Sequence, residues 1–198
     1  MALVPLPEQP AGLIGRYAAR YSRKQFAGLV VDPVKAGSNH PGVLMAHGAE
    51  ETVVAKKWTR LAHGLRWLAL MRVSQRIGCS WCTDYGYFDG VTNGIAPEKI
   101  RAVATWRDSD LFTDTERLVL EYAEAASETP VQIGDMLAER LRRTFAPDEL
   151  VELAGWVALE NQRSRFNAAL GLHSQGFSDR CELPAPAPAS SDRAVARV

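Results

Sequence analysis

Apolar side chains recur along this chain every three or four residues, and no stretch alternates apolar and polar over six positions. That spacing marks helices with one face turned inward, and it argues against half-buried strands. Ile14, Tyr17, Ala18, Tyr21 and Phe26 predict a first helix over residues 14–26. Val31-Asp32-Pro33-Val34 reads as a break, and so does Ser38-Asn39-His40-Pro41-Gly42. A helix is then expected from Val43 to Thr52 or beyond. The strongest periodic stretch is residues 61–77, where Leu61, Leu65, Leu68 and Met71 recur and Leu70, Ser74 and Ile77 continue a face. Gly78 can end that helix in a left-handed conformation. Cys79 then opens a shorter helix reaching about Phe88.

Downstream, Ala96-Pro97-Glu98 and Ala146-Pro147-Asp148 have the form of helix starts. Proline suits the first helical position, and the acidic residue behind it faces the positive end of the helix dipole. Thr113 followed three residues later by Glu116 fits a capping box, with Leu118, Val119, Tyr122, Ala123 and Ala126 on one side. After Pro147, apolar residues from Leu150 to Leu159 cover nearly every side, which predicts a buried helix. Asn161 and Ser164 fall on the stripe of Leu150, Ala154 and Val157, as a polar pocket lining or a packing network. The class is all-α, with roughly six to eight helices of ordinary length. One helical domain is expected over residues 13–182. Residues 1–12 should be loose, and the Pro/Ala-rich residues 183–198 extended or disordered.

Composition narrows the function. The chain has 198 residues, of which 46% are hydrophobic, and its 23 basic residues balance its 23 acidic ones. A zero formal charge gives no global field for nucleic acid or an anionic membrane. The apolar runs are too short to span a bilayer, and residues 1–12 lack the basic and apolar regions of a secretory signal. With three cysteines there is no disulfide scaffold. A cytoplasmic location is expected, where a Cys-x-x-Cys is catalytic or metal-binding more often than structural.

Cys79-Ser80-Trp81-Cys82 carries the chemistry. The thiolate is the nucleophile, and a free cysteine with a pKa of roughly 8.5 is mostly protonated at neutral pH. A helix N-terminus, or a neighbouring thiol that donates a hydrogen bond, lowers that value. Helix electrostatics favour Cys79 as the more acidic of the two. The partner three residues away can then convert a sulfenic acid or mixed disulfide into an internal disulfide. Zinc would need two further ligands. No second Cys-x-x-Cys or His-x-x-x-His exists, and His173 with Cys181 would complete a site only if the C-terminus folded back. No metal and no cofactor are therefore expected. Two inert packed cysteines remain the plain alternative.

The stretch LMRVSQRIGCSWCTDYG, Leu70 to Gly86, resembles the core motif of the carboxymuconolactone decarboxylase/alkylhydroperoxidase D superfamily. Asn161 to Gly171 is similar to that group's last helix, and the likeness covers residues 41–178. It implies an AhpD-like all-helical fold assembled as a trimer or hexamer, with the cysteine pair reducing a peroxide or a disulfide. It also implies that Cys82 attacks and Cys79 resolves. The motif departs from the peroxidase members at three places. Trp67 stands where they have a glutamate, Gly86 where they have a histidine, and Trp81 where some carry a further histidine. The usual proton relay is thus absent. Asp84 and Glu160 are the remaining relay candidates, with His47 and His63 more distant. Trp67, Trp81 and Asn161 are candidates for a pocket lining. The expected function is a weak, CxxC-dependent peroxidase or disulfide reductase, with an unidentified thiol as reductant. The alternatives are a non-redox scaffold or small-ligand-binding member of the same family, and a lactone decarboxylase, which does not depend on a CxxC.

Overall fold

The computed structural model describes residues 1–26 and 28–181. The expected tail at 183–198 and the side chain of Cys181 lie outside the described residues. Among the described residues there are nine α-helices, two 3₁₀ segments and no strand. The helices are α1 (Gly12–Gln25), α2 (Asp32–Gly37), α3 (Pro41–Lys57), α4 (His63–Ile77), α5 (Ser80–Thr92), α6 (Pro97–Ala102), α7 (Asp114–Ser127), α8 (Asp135–Thr144) and α9 (Pro147–Ala169). The 3₁₀ segments are Val103–Asp108 and Ser178–Cys181. No helix among the described residues is long and apolar enough to cross a membrane.

Helix α4 is the axis of the fold, packing against α7, α9 and α5. Of the residues the periodicity selected, Leu68, Met71 and Ser74 are buried and Leu65, Leu70 and Ile77 half-buried; Val73, outside that pattern, is buried with them against Leu120, Ala123, Leu153 and Val157 of the facing helices. Gly78 ends α4 at φ 82°, a left-handed conformation in which glycine has no Cβ to clash, and its N–H returns to the Ser74 carbonyl. The chain then reverses directly into α5. The Thr113–Glu116 capping box opens α7 as expected.

Three expectations are corrected. Residues 31–34 are not simply a break, because Pro33 sits in the first turn of α2, where its missing N–H has no helical role. Helix α1 forms where predicted but turned over. Gly15, Ala19 and Ser22 face inward, and Leu13, Tyr17 and Tyr21 face solvent at 79, 74 and 51% exposure. On the inward side Gly15 meets Pro10, where a Cβ would lie 3.0 Å away, and the Ser22 hydroxyl donates to the Leu29 carbonyl and accepts the Val31 N–H at 3.0 Å each. Helix α9 is not buried all round either. Val151, Ala154, Ala158, Gln162 and Arg165 form an exposed stripe, while Leu153, Trp156, Val157 and Leu159 face the core. Alanines on that outer side leave little apolar area to cover.

Residues 1–11 carry no helix and are tethered to the helices. The Leu3 N–H donates to the Leu170 carbonyl at 2.9 Å, Asn39 Nδ2 donates to the Pro5 carbonyl at 2.8 Å, and Lys35 Nζ reaches Glu8 at 2.6 Å.

Helix α5 lies very close to α4. A Cβ at Gly90 would sit 2.7 Å from the buried Trp67 indole, a rigid neighbour. Gly90→Ala should therefore destabilise the protein by about 1–3 kcal/mol through overpacking, against a helix-propensity gain of at most about 1 kcal/mol. Thermal unfolding checks this; an unchanged or higher midpoint would mean the helices can part cheaply.

Candidate active site

The cysteine pair sits where the α4–α5 reversal delivers it. Cys79 is the N-cap of α5, and its Sγ accepts the Cys82 N–H at 3.1 Å. A sulfur therefore does what a serine or aspartate oxygen ordinarily does at a helix start. The two sulfurs are bonded at 2.11 Å, with the Cα atoms 5.3 Å apart. One turn of helix suffices to place them in reach. Both are buried, Cys79 at 1% exposure and Cys82 at 7%, so Cys82 is the more open of the two.

Around the disulfide stands a small apolar cluster separate from the main core. It contains Val31, Trp81 and Phe177, with Phe26, Tyr85 and Phe88 against them. Trp81 stacks on Tyr85 at 5.6 Å and meets Phe177 edge-on at 6.0 Å. Desolvation, with the nearby Asp89 charge, pushes the Tyr85 phenol up to about 12. Trp81 Nε1 donates to Gln175 Oε1 at 2.7 Å, and the same oxygen accepts the Asp32 N–H at 2.8 Å. One amide side chain thereby ties the C-terminal segment to both α5 and α2.

Asp84 is neither a solvated first-turn residue nor an open relay. It is 3% exposed. Its Oδ2 accepts the N–H groups of Gln175 and Phe177 at 3.0 Å each, and its Oδ1 accepts the N–H and hydroxyl of Ser178 at 2.8 and 2.7 Å. Burial alone would raise its pKa, but these donors outweigh it and hold the carboxyl below the usual carboxylate range. Asp84 is thus an anion committed to folding residues 174–178 over the cysteine pair.

The sequence-predicted lining residues do not meet. Trp67 belongs to the main core, where its Nε1 donates to the Gly86 carbonyl at 2.9 Å. A Cβ at Gly86 would come 2.9 Å from Met71 Sδ. The two departures from the peroxidase motif, at 67 and 86, are thus one packing unit: the indole and the methionine fill the ground beside the glycine. Trp81 lies in the separate cluster around the disulfide. Asn161 faces α7, donating to Ser127 Oγ and to the Val157 carbonyl at 3.0 Å each. It is a packing network residue. His47 packs edge-on against Phe166, and His63 begins α4.

Glu160 is buried between α4 and α9. Its Oε1 accepts hydroxyl hydrogen bonds from Ser74 at 2.9 Å and Ser164 at 2.7 Å, and Arg163, itself paired with Glu51, approaches Oε2 at 3.5 Å. Desolvation dominates and raises its pKa despite Arg163 and the two hydroxyls. The residue that sequence reading missed is Asn167. It is 3% exposed, and its Nδ2 lies 3.4 Å from Cys82 Sγ. Glu160, Ser164 and Asn167 are spaced at one helical face, so extending that stripe one turn beyond Ser164 would have found it.

The two carboxyls give opposite pH signatures. Asp84, lowered in the folded state, contributes stability above the ordinary carboxylate value of about 4, lost as pH falls through its folded value. Glu160, raised in the folded state, contributes most below that ordinary value and loses its contribution as pH rises through its folded pKa. Glu160→Gln should flatten the upper side of the stability curve, and Asp84→Asn the acid side, in denaturant unfolding from about pH 3 to 8. Asp84→Ala should cost roughly 2–4 kcal/mol, because three backbone donors lose their acceptor. It should also expose residues 174–178 to proteolysis; a protease-resistant Asp84→Ala protein would contradict the anchoring role.

Comparison with known proteins agrees with this architecture. The sequence pattern of the Carboxymuconolactone decarboxylase family matches residues 45–125, the span from α3 to α7 that includes the cysteine turn. YnjA of Escherichia coli (strain K12) is 35% identical over 184 residues, 93% of this chain and 98% of YnjA. The crystal structure of the alkylhydroperoxidase AhpD core of a peroxidase-related protein from Ralstonia eutropha JMP134 superimposes with a TM-score of 0.77 at 16% identity, covering 95% of this chain and 98% of that one. The debrominase Bmp8 superimposes with a TM-score of 0.75 at 18% identity, covering 89% and 96%. At such identities the two structures show a shared fold. With the extended match to YnjA and the family pattern over the cysteine turn, the chain belongs to the carboxymuconolactone decarboxylase family and has the AhpD-like helical fold.

Proposed function

We propose that this protein is a thiol oxidoreductase that cycles Cys79 and Cys82 between dithiol and disulfide, reducing an organic hydroperoxide or a disulfide. The observation that carries the reading is the Cys79–Cys82 bond at the first turn of α5, beside an amide donor and within an aromatic surround. In the peroxide direction the Cys82 thiolate attacks the outer peroxide oxygen. The S–O bond forms, the O–O bond breaks, and the departing alkoxide takes a proton from solvent. Cys79 then attacks the sulfenic sulfur, the S–S bond forms, and water leaves. A thiol reductant returns two electrons and two protons to the disulfide. No cofactor is required by this cycle.

The greater exposure of Cys82 supports it as the attacking sulfur, and the aromatic neighbours favour an apolar organic hydroperoxide over hydrogen peroxide. Turnover is expected to be slow, since the ground beside position 86 is filled by Trp67 and Met71 rather than by proton-carrying groups. The reading also takes the protein as a homo-oligomer, trimer or hexamer. The outward Leu13, Tyr17 and Tyr21 stripe of α1 supports this, and sedimentation of the full chain reads it. A second reading, a structural disulfide in a non-redox scaffold, draws on the near-complete burial of both sulfurs.

Thiol titration separates the two. On the redox reading, dithiothreitol releases two thiols from the folded protein, and cumene hydroperoxide removes both. Cys82→Ser then abolishes hydroperoxide consumption, and Cys79→Ser stops the cycle after sulfenic acid forms at Cys82. If the disulfide opens only on unfolding, the scaffold reading replaces the enzyme.

A further inference from the structure

Both sulfurs of the pair accept a hydrogen bond, but from different sources. Cys79 Sγ takes the backbone N–H of Cys82, a donor that any helix start supplies. Cys82 Sγ takes a side-chain donor from a distant part of the chain, Asn167 Nδ2, 85 residues on. Asn167 is buried on α9, one turn beyond Ser164, which is itself fully buried and bonded to Glu160. A disulfide sulfur is a weak acceptor, so a buried N–H aimed at it gains little in the oxidised state. It gains far more when the sulfur carries a full negative charge. Donors placed in advance where charge develops are the usual means of stabilising it in a low-dielectric site.

We propose that Asn167 is a catalytic residue, the donor that stabilises the Cys82 thiolate and thereby makes Cys82, despite the helix-terminal position of Cys79, the nucleophile. This inference rests on the dithiol–disulfide reading above and adds to it the group that selects the sulfur. It answers a need left by the motif. The titratable groups that follow the pair on α5 cannot supply stabilisation: Asp84 is an anion turned to residues 175–178, and Tyr85, pushed up to about 12, stays neutral. On α9, Glu160 is turned to Ser74 and Ser164 and is drawn toward its neutral form by burial. Its neighbour Arg163 is engaged by Glu51 and Glu160. A neutral amide stabilises a thiolate without bringing a second charge into the apolar cluster.

The test measures Cys82 alone, in the full chain carrying Cys79→Ser and Cys181→Ser, by iodoacetamide labelling as a function of pH. Asn167→Ala should raise the labelling midpoint by about one pH unit and slow labelling near pH 7 by about tenfold. Asn167→Asp, of the same size, should raise the midpoint further, because an anion replaces the donor. A residue that only packs would lower the thermal midpoint while leaving the labelling profile in place. Equal midpoints in the parent and both variants, or a lowered midpoint in Asn167→Asp, would overturn the proposal. Failure of the redox reading looks different: the wild-type protein would not lose and regain two thiols under peroxide and reductant, whatever the Asn167 variants show.

Discussion

The arrangement around the cysteine pair depends on one buried carboxylate. Asp84 gathers three backbone N–H groups and a hydroxyl from residues 175–178, which lie before or at the very start of the Ser178–Cys181 3₁₀ segment, where an N–H has no helical acceptor. With that anion in place, the segment after α9 turns back and lays Phe177 and Gln175 on the start of α5. Gln175 then bridges Trp81 and the start of α2, so the second apolar cluster closes from three directions. A side chain without an acceptor oxygen at 84 would leave these donors unpaired and the disulfide without its outer wall. The same hydrogen bonds that hold the charge also remove it from proton transfer, since its lone pairs are committed.

The departures from the peroxidase motif follow a similar logic. Trp67, Gly86, Met71 and Gly90 form a single close contact between α4 and α5. Each large side chain is possible because a glycine faces it. This contact deepens the main core, and it places hydrocarbon and an indole beside the glycine at 86. Polar groups reach the site instead from α9, through Asn167 at the sulfur and the Ser164–Glu160 pair a turn away. Helix α9 thus serves two purposes along its length. Its first half fills the core with Leu153, Trp156 and Val157, and its second half carries polar side chains toward α4 and α5.

Much of the fold was legible. The periodicity of residues 61–77, the glycine stop, the Thr113–Glu116 box and the two Ala-Pro-acidic starts each became the element they indicated, because each is settled by near neighbours in the chain. Errors arose where the outcome depends on what lies opposite. In α1 the large residues looked like the inward face, yet the buried side is Gly15, Ala19 and Ser22, where the Ser22 hydroxyl is paired with the Leu29 carbonyl and the Val31 N–H of the segment leading into α2. On α9 the polar stripe was traced through Asn161, which faces α7, rather than through Asn167, which reaches the sulfur. Both lie on one helix, six positions apart, and periodicity alone does not say which neighbour each will meet.

The amino-acid order by itself settled the helical class, the position of the cysteine turn and the possibility of a bond between its sulfurs, because one turn of helix fixes the distance between residues three apart. Only the tertiary structure decided what surrounds that bond. The acceptor for residues 175–178, the indole beside Gly86 and the amide beside Cys82 all come from parts of the chain 19 to 94 residues away. Such partners are chosen by packing and by the requirement that buried polar groups be paired, conditions imposed by the assembled core and invisible to local pattern.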